Sequence, residues 1–195
     1  MKAIALDMYG VIMRQDGNEF PLYVQQFFPH LTLEEIQRPW SMADKGMISS
    51  LELFAALGFT GDLEKVDHDY LDTIGIMPGA IDFLRTAHER FHTALISNDA
   101  SRWSHYIRDK WGLNPYFDVI TVSGDVKICK PDPRIFELTL KKLGVTAEEC
   151  LYVDDRPGNL EAARNLGLRA VMMGSQPGWD GERVQSFVEL SALVL

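Results

Sequence analysis

Several things are scarce in this chain of 195 residues, and each scarcity removes a class of function. There are 2 cysteines, Cys129 and Cys150, in no metal-like spacing, so free thiols in a reducing cytoplasm are expected and a disulfide framework is not. The 5 histidines form no HExxH or comparable pair, which argues against a zinc site. No apolar run approaches the roughly 20 residues that a membrane helix needs. The first residues do not read as a secretory leader, because Asp7 interrupts the apolar stretch. Basic residues are too few to offset the acidic ones: the net charge of −9 would repel a polyphosphate backbone, so nucleic-acid binding is not expected. There is no internal repeat, no low-complexity tract and no GxxxxGK[ST] phosphate loop.

What remains is an ordinary globular composition, 46% hydrophobic and 24% charged. The length suits one α/β domain with an insertion. Five short apolar runs read as strands: Ala3–Leu6, Thr93–Ile96, Val119–Val122, Leu151–Val153 and Ala170–Met173. Between the later ones lie stretches of helical period, such as Ile81, Leu84, Arg85 and His88, or Ile135, Leu138, Leu140 and Leu143. This alternation predicts a doubly wound parallel sheet. More than 80 residues separate the first two strands, and residues 15–77 show helical spacing but no convincing strand. The expected organisation is therefore an α/β core from residues 1–14 and 78–195, with a small helical cap over residues 15–77 at the sheet edge. Trp40, Phe27, Phe28 and Phe54 are expected to form the core of that cap.

Polar residues recur where the strands end. The first strand runs into Asp7, the second into Ser97 and Asn98, and the fourth into Asp154 and Asp155. Lys130 precedes a proline-marked helix start in "CKPDPRIF". In a right-handed doubly wound sheet these ends share one edge, so three carboxylates, a lysine and a hydroxyl converge on one crevice. Carboxylates packed together repel unless a cation joins them, and hard oxygen ligands suit Mg²⁺. Asp7 is then a candidate nucleophile. Lys130 would hold it ionised and neutralise charge on a transferring phosphoryl group, while Ser97 donates to that group's oxygens.

The order Asp7, Ser97, Lys130, Asp154–Asp155, with "CKPDPRIF" and "VDDRPGNLEAARNLGL", resembles the four motifs of the haloacid dehalogenase-like (HAD-like) hydrolase superfamily. The likeness runs over nearly the whole chain and is greatest to its small-cap sugar-phosphate phosphatases and the phosphatase domain of epoxide hydrolases. It implies a Rossmann-like core, an Asp7 nucleophile, and a Mg²⁺ held by Asp7, Asp155 and the Tyr9 backbone carbonyl. Asp154 and Asn159 would contact metal-bound water or support the site. A small phosphate ester is the implied substrate.

Tyr9 departs from the pattern. Phosphatases of this family usually carry an aspartate there, which protonates the leaving oxygen, whereas 2-haloacid dehalogenases carry tyrosine. "DMYGV" therefore leans toward a metal-free dehalogenase, for which Arg38 would bind the haloacid carboxylate. Val11, Phe136 and the Asp154–Asp155 pair lean away from it, because dehalogenases have hydroxyl residues at those places. Three readings follow: a Mg²⁺-dependent phosphatase lacking its usual acid, a dehalogenase, and an idle protein that only binds a ligand or partner. Arg14, Arg38, Trp40 and Met42 are the cap side chains expected to face the substrate. Cys129 beside Lys130 is read as an inert thiol.

Overall fold

The computed structural model describes residues 1–14 and 19–195, so the expected start of the insert at residue 15 lies outside the described residues. In chain order the strands are β1 (Ala3–Leu6), β2 (Met13–Arg14), β3 (Gly75–Ile76), β4 (His92–Ser97), β5 (Val119–Val122), β6 (Cys150–Asp154), β7 (Arg169–Met173) and β8 (Glu182–Val184). The helices are α1 (Glu19–Phe27), α2 (Leu33–Asp44), α3 (Ser50–Ala56), α4 (Leu63–Asp72), α5 (Ala80–His88), α6 (Ser101–Lys110), α7 (Ser123–Val126), α8 (Pro133–Leu143), α9 (Pro157–Asn165) and α10 (Phe187–Val194).

Six strands form one sheet in the order β5-β4-β1-β6-β7-β8. All its pairings are parallel, as the strand–helix alternation predicts. Alternate residues face opposite layers. Ile4 and Leu6 join one hydrophobic cluster with Leu95, Val153 and Val171, whereas Ala3 and Ala5 join the other with Ile96, Tyr152 and Met172. Helices cover both faces, which is why β1 reads as an unbroken apolar run rather than an alternating one. The chain builds outward from β1 to β4 and β5, then crosses to β6 on its other side. Open α/β sheets bind their ligands at such a reversal, beyond the carboxyl ends of the strands.

Two features depart from the sequence reading. Strand β8 is absent from it because two of its three residues are exposed and it offers no apolar run at the sheet edge. Likewise β2 and β3 pair antiparallel over only two residues each, Met13 with Ile76 and Arg14 with Gly75, too short for any periodicity to register. This ribbon joins the two ends of the helical insert. In α5 the buried stripe is Ala80, Phe83, Leu84 and Ala87, while Arg85 and His88 occupy the last turn, so the expected phase was turned by one position.

The insert is helical, as expected. Thr32 with Glu35 and Ser49 with Glu52 form capping boxes that start α2 and α3, and Asp62 caps α4. Phe20 of α1 is its hub, with ring centroids 5.0 Å from Tyr70, 5.1 Å from Trp40 and 5.8 Å from Phe54. It also lies 5.1 Å from Trp103 of α6, so the insert is stitched to the core by the same aromatic cluster. Phe54 is buried as expected; Phe27, also assigned to this core, is 55% exposed, with ring centroids 5.4 Å from Tyr23 and 5.2 Å from Phe59. Among the described residues no helix is long and apolar enough to cross a membrane.

Candidate active site

Register brings the polar strand ends together. Leu6 pairs with Val153, so Asp7 and Asp154 emerge side by side, and the Asp7 N–H donates to the Val153 carbonyl at 2.9 Å. On the other flank Leu6 pairs with Leu95, which carries Ser97 and Asn98 to the same edge. Lys130 enters from the loop before α8. Its ammonium lies 2.7 Å from Asp7 Oδ1 and 2.9 Å from Asp154 Oδ2, and donates to the Tyr152 hydroxyl at 3.0 Å. Asp7, Ser97, Lys130, Tyr152 and Asp154 are buried, and Asn98 is half-buried.

Asp154 anchors the lysine. Its carboxylate accepts from Lys130 Nζ, the Tyr152 hydroxyl, the Arg156 N–H and Asn159 Nδ2, so its oxygens are well supplied with donors. Asp155 is the opposite case. One of its oxygens accepts from Gln176 Nε2 at 3.3 Å, and the other, Oδ1, is buried with no partner. Asp7, Asp154 and Asp155 each offer an oxygen within 4.8 Å of the others. Burial, outweighing the pull of Lys130, raises the Asp7 carboxyl to about 6. Burial followed by repulsion from Asp7 and Asp154 raises Asp155 to about 7. Burial opposes the Lys130 charge, yet its two carboxylate neighbours win and raise its pKa. An orphaned, buried carboxylate oxygen beside a second carboxylate, with one lysine against three acids, fits a divalent cation of hard-oxygen preference. Gly10 makes the approach possible: at φ +80°, its missing Cβ would sit 2.6 Å from Asp155 Cγ.

The other expected site residues fall into place unevenly. Ser97 is fully buried at the end of β4 and its hydroxyl has no hydrogen-bond partner, but its neighbours Asn98 and Asp99 line the cavity. The Asn98 amide clasps the Lys130 main chain, donating to its carbonyl at 2.8 Å and accepting its N–H at 2.7 Å. Asn98 therefore positions the lysine. Tyr9 stands two residues after Asp7 and donates its hydroxyl to Asp99 Oδ2 at 3.0 Å. Burial, then the Asp99 charge, pushes the tyrosine well above its ordinary pKa.

The cavity over these groups has a volume of about 360 Å³. Helix α2 contributes Gln37, Trp40, Ser41 and Asp44, spaced so that one helical face looks down on the sheet. Tyr70 of α4, Trp103 of α6 and, from the core loops, Pro131 and Arg156 also line it. Of the four cap residues expected to face substrate, Trp40 lines the cavity. Arg14, Arg38 and Met42 do not line the cavity: Arg38 and Met42 fall off the 37–40–41–44 face, and Arg14 is exposed on the β2–β3 ribbon. Burial pushes the Cys129 thiol up, in keeping with an inert group, and it donates to the Asp44 carbonyl at 3.5 Å. Both cysteines are free.

Three residues escaped the sequence reading. Tyr152 was legible, since alternation in β6 puts it on the same face as Asp154. Asp99 follows Asn98 directly but resembles an ordinary residue before a helix. Asp44 lies in an insert whose placement over the sheet only tertiary packing decides.

A profile described as haloacid dehalogenase-like hydrolase matches residues 1–167. Among curated proteins, the chain is 26% identical over 186 residues to a phosphorylated carbohydrates phosphatase of Thermotoga maritima, covering 88% of this chain and 84% of that protein. It spans only part of other relatives: 44% identity over 55 residues to the mouse acyl-CoA dehydrogenase family member 10 covers 28% of this chain and 5% of that protein. Among solved structures, a wild-type HAD family enzyme of Bacteroides thetaiotaomicron in complex with magnesium and inorganic phosphate superposes with a TM-score of 0.70 at 21% identity, over 92% of this chain and 98% of that one. A 2-haloacid dehalogenase of Pseudomonas syringae pv. Tomato DC3000 superposes with a TM-score of 0.73 at 18% identity, over 100% and 98%. At such identities the two structures speak for the fold alone.

Proposed function

Because the chain belongs to the haloacid dehalogenase-like hydrolases, we propose that this hydrolase is a Mg²⁺-dependent phosphatase of small phosphate monoesters. Asp7 is its nucleophile. The observation that carries the reading is Asp155, whose buried Oδ1 has no partner beside Asp7 and Asp154. A phosphatase has a use for that oxygen, as a ligand for a cation. A haloacid carboxylate entering the same site would meet uncompensated negative charge, worth several kcal/mol at short range even at an effective dielectric of about 20.

In this reading Asp7, Asp155 and the Tyr9 carbonyl hold the cation, with Asp154 fixing Lys130 alongside. Bound there, the cation neutralises the carboxylates and the charge developing on phosphoryl oxygens. An Asp7 oxygen forms a bond to phosphorus as the ester oxygen departs with its electron pair. A water then cleaves the acyl phosphate, releasing phosphate and restoring the carboxylate. Lys130, 2.7 Å from Asp7, keeps the nucleophile ionised. Ser97 supplies its unspent hydroxyl to the phosphoryl group. Residues 15–77 act as the cap that closes the crevice of the core formed by 1–14 and 78–195. Tyr9 does not serve as general acid, since its proton is committed to Asp99 and its pKa is raised.

The tyrosine at position 9 is also the feature that favours a second reading, a metal-free 2-haloacid dehalogenase. One experiment separates them. The phosphatase hydrolyses p-nitrophenyl phosphate with added Mg²⁺ and stops in EDTA; release of halide from 2-chloropropionate in EDTA would support the dehalogenase. Turnover of neither would leave a binding protein.

A further inference from the structure

The far end of the cavity has a chemistry of its own. It is lined by the rings of Tyr9, Trp40, Tyr70 and Trp103 and by the carboxylates of Asp44 and Asp99, with the Arg156 side chain also on the cavity wall. The rings are fixed: Phe20 holds three of them, and Tyr70 lies 5.0 Å from Trp103. The Trp103 indole N–H is committed to Asp67 and the Tyr9 hydroxyl to Asp99, so these two rings offer the cavity π surface rather than donors. Asp99 is 1% exposed.

Asp44 is held in place by its main chain. Its carbonyl accepts from the Ser123 hydroxyl at 2.5 Å, and the same Ser123 oxygen accepts the Asp99 N–H at 2.9 Å. Close contact between Gly46 and Gly124 locks this end of α2 to the core: a Cβ at Gly46 would lie 2.1 Å from the Gly124 carbonyl oxygen. Yet the carboxyl itself is left short, for Oδ1 is buried without a hydrogen-bond partner. Burial pushes it up to about 7, against the opposing pull of Arg156 and Lys45. A desolvated carboxylate among aromatic faces is a receptor for an organic cation.

Building on the phosphatase reading, we propose that the substrate is the phosphate monoester of an amino alcohol, its protonated amine seated between Asp44 and the rings of Trp40, Tyr70 and Trp103. Such a leaving group also compensates for the tyrosine at position 9. As the Asp7–phosphorus bond forms and the phosphorus–oxygen ester bond breaks, the departing oxygen takes the electron pair. A nearby ammonium stabilises that alkoxide by its charge and passes it a proton, leaving a neutral amino alcohol that regains a proton from solvent. The substrate thus brings the acid that the protein lacks.

The test compares 2-aminoethyl phosphate with n-propyl phosphate, of similar size and no amine, each with Mg²⁺, using p-nitrophenyl phosphate as reference. The native protein should show at least a tenfold higher kcat/KM for the amino ester, and Asp44→Asn should lower that ratio tenfold or more, mainly through KM. Equal turnover of the two esters by the native protein would overturn the amine assignment while leaving the phosphatase reading intact. So would a ratio that Asp44→Asn does not change. Absence of turnover on all three esters would instead overturn the phosphatase reading on which the assignment rests.

Discussion

Replacing Lys130 by methionine removes one buried positive charge from between two buried negative ones. The ammonium lies 2.7 Å from Asp7 and 2.9 Å from Asp154, and its side chain is 1% exposed. Deleting one partner of a buried pair typically costs about 3–5 kcal/mol, because the remaining charge is left uncompensated. Here two carboxylates are left, so the upper part of that range is expected at pH 8 without metal. The loss must depend on pH. Asp7 already has a folded-state pKa raised to about 6 with the lysine present, and without it the value moves higher still. Between the unfolded carboxylate pKa near 4 and that raised value, the folded protein binds more protons than the unfolded chain. Its stability therefore rises as pH falls through this window. Urea denaturation of both proteins in EDTA, at pH 8 and pH 5.5, should show the destabilisation shrinking by at least half at the lower pH. A penalty under about 1 kcal/mol, below even an average hydrogen-bond loss, would refute the charge argument. So would a penalty of the same size at both pH values, which would point to lost packing of the lysine stem.

Three further outcomes follow from the same geometry. Gly10→Ala places a Cβ 2.6 Å from Asp155 Cγ on a backbone at φ +80°, so Mg²⁺ titration of activity should show at least tenfold weaker metal use; unchanged titration would mean that Asp155 does not bind the cation. Tyr9→Asp restores a proton donor where general acids contribute about 10²–10⁴-fold, so hydrolysis of phosphates of simple alkyl alcohols without an amine should gain tenfold or more over aryl phosphates; an unchanged ratio would show that another group protonates the leaving oxygen. The metal-free protein carries Asp7 raised to about 6 and Asp155 raised to about 7, both acids that favour the folded state only when protonated. Its Tm should therefore fall from pH 5 to pH 8, and added Mg²⁺ should raise Tm more at pH 8 than at pH 5; an equal rise at both would contradict this.

Much of this site is legible in the chain because one parallel sheet places strand ends at one edge. Asp7, Ser97 and Asp154 each follow a short apolar run, so the topology alone brings them together, with Lys130 announced by the proline-marked start of α8. What is hidden depends on packing between distant segments. The phase of α2 selects Gln37, Trp40, Ser41 and Asp44 for the cavity, but the sequence equally offers Arg38 and Met42 until the insert is docked through Phe20 and Trp103. The pairing of Tyr9 with Asp99 spans 90 positions and leaves no local pattern. Short edges such as β8, with a single buried residue, carry too little hydrophobic signal to register.

The central claim is that Asp7 takes a phosphoryl group from its substrate. Acid quenching of the protein during turnover of p-nitrophenyl phosphate with Mg²⁺, followed by peptide mass spectrometry, measures this directly. The account predicts an alkali-labile phosphoryl adduct on the peptide containing Asp7, absent in EDTA and in Asp7→Asn, which should also lose turnover. Sustained phosphate release by the Asp7→Asn variant, with no adduct on the native Asp7, would contradict it.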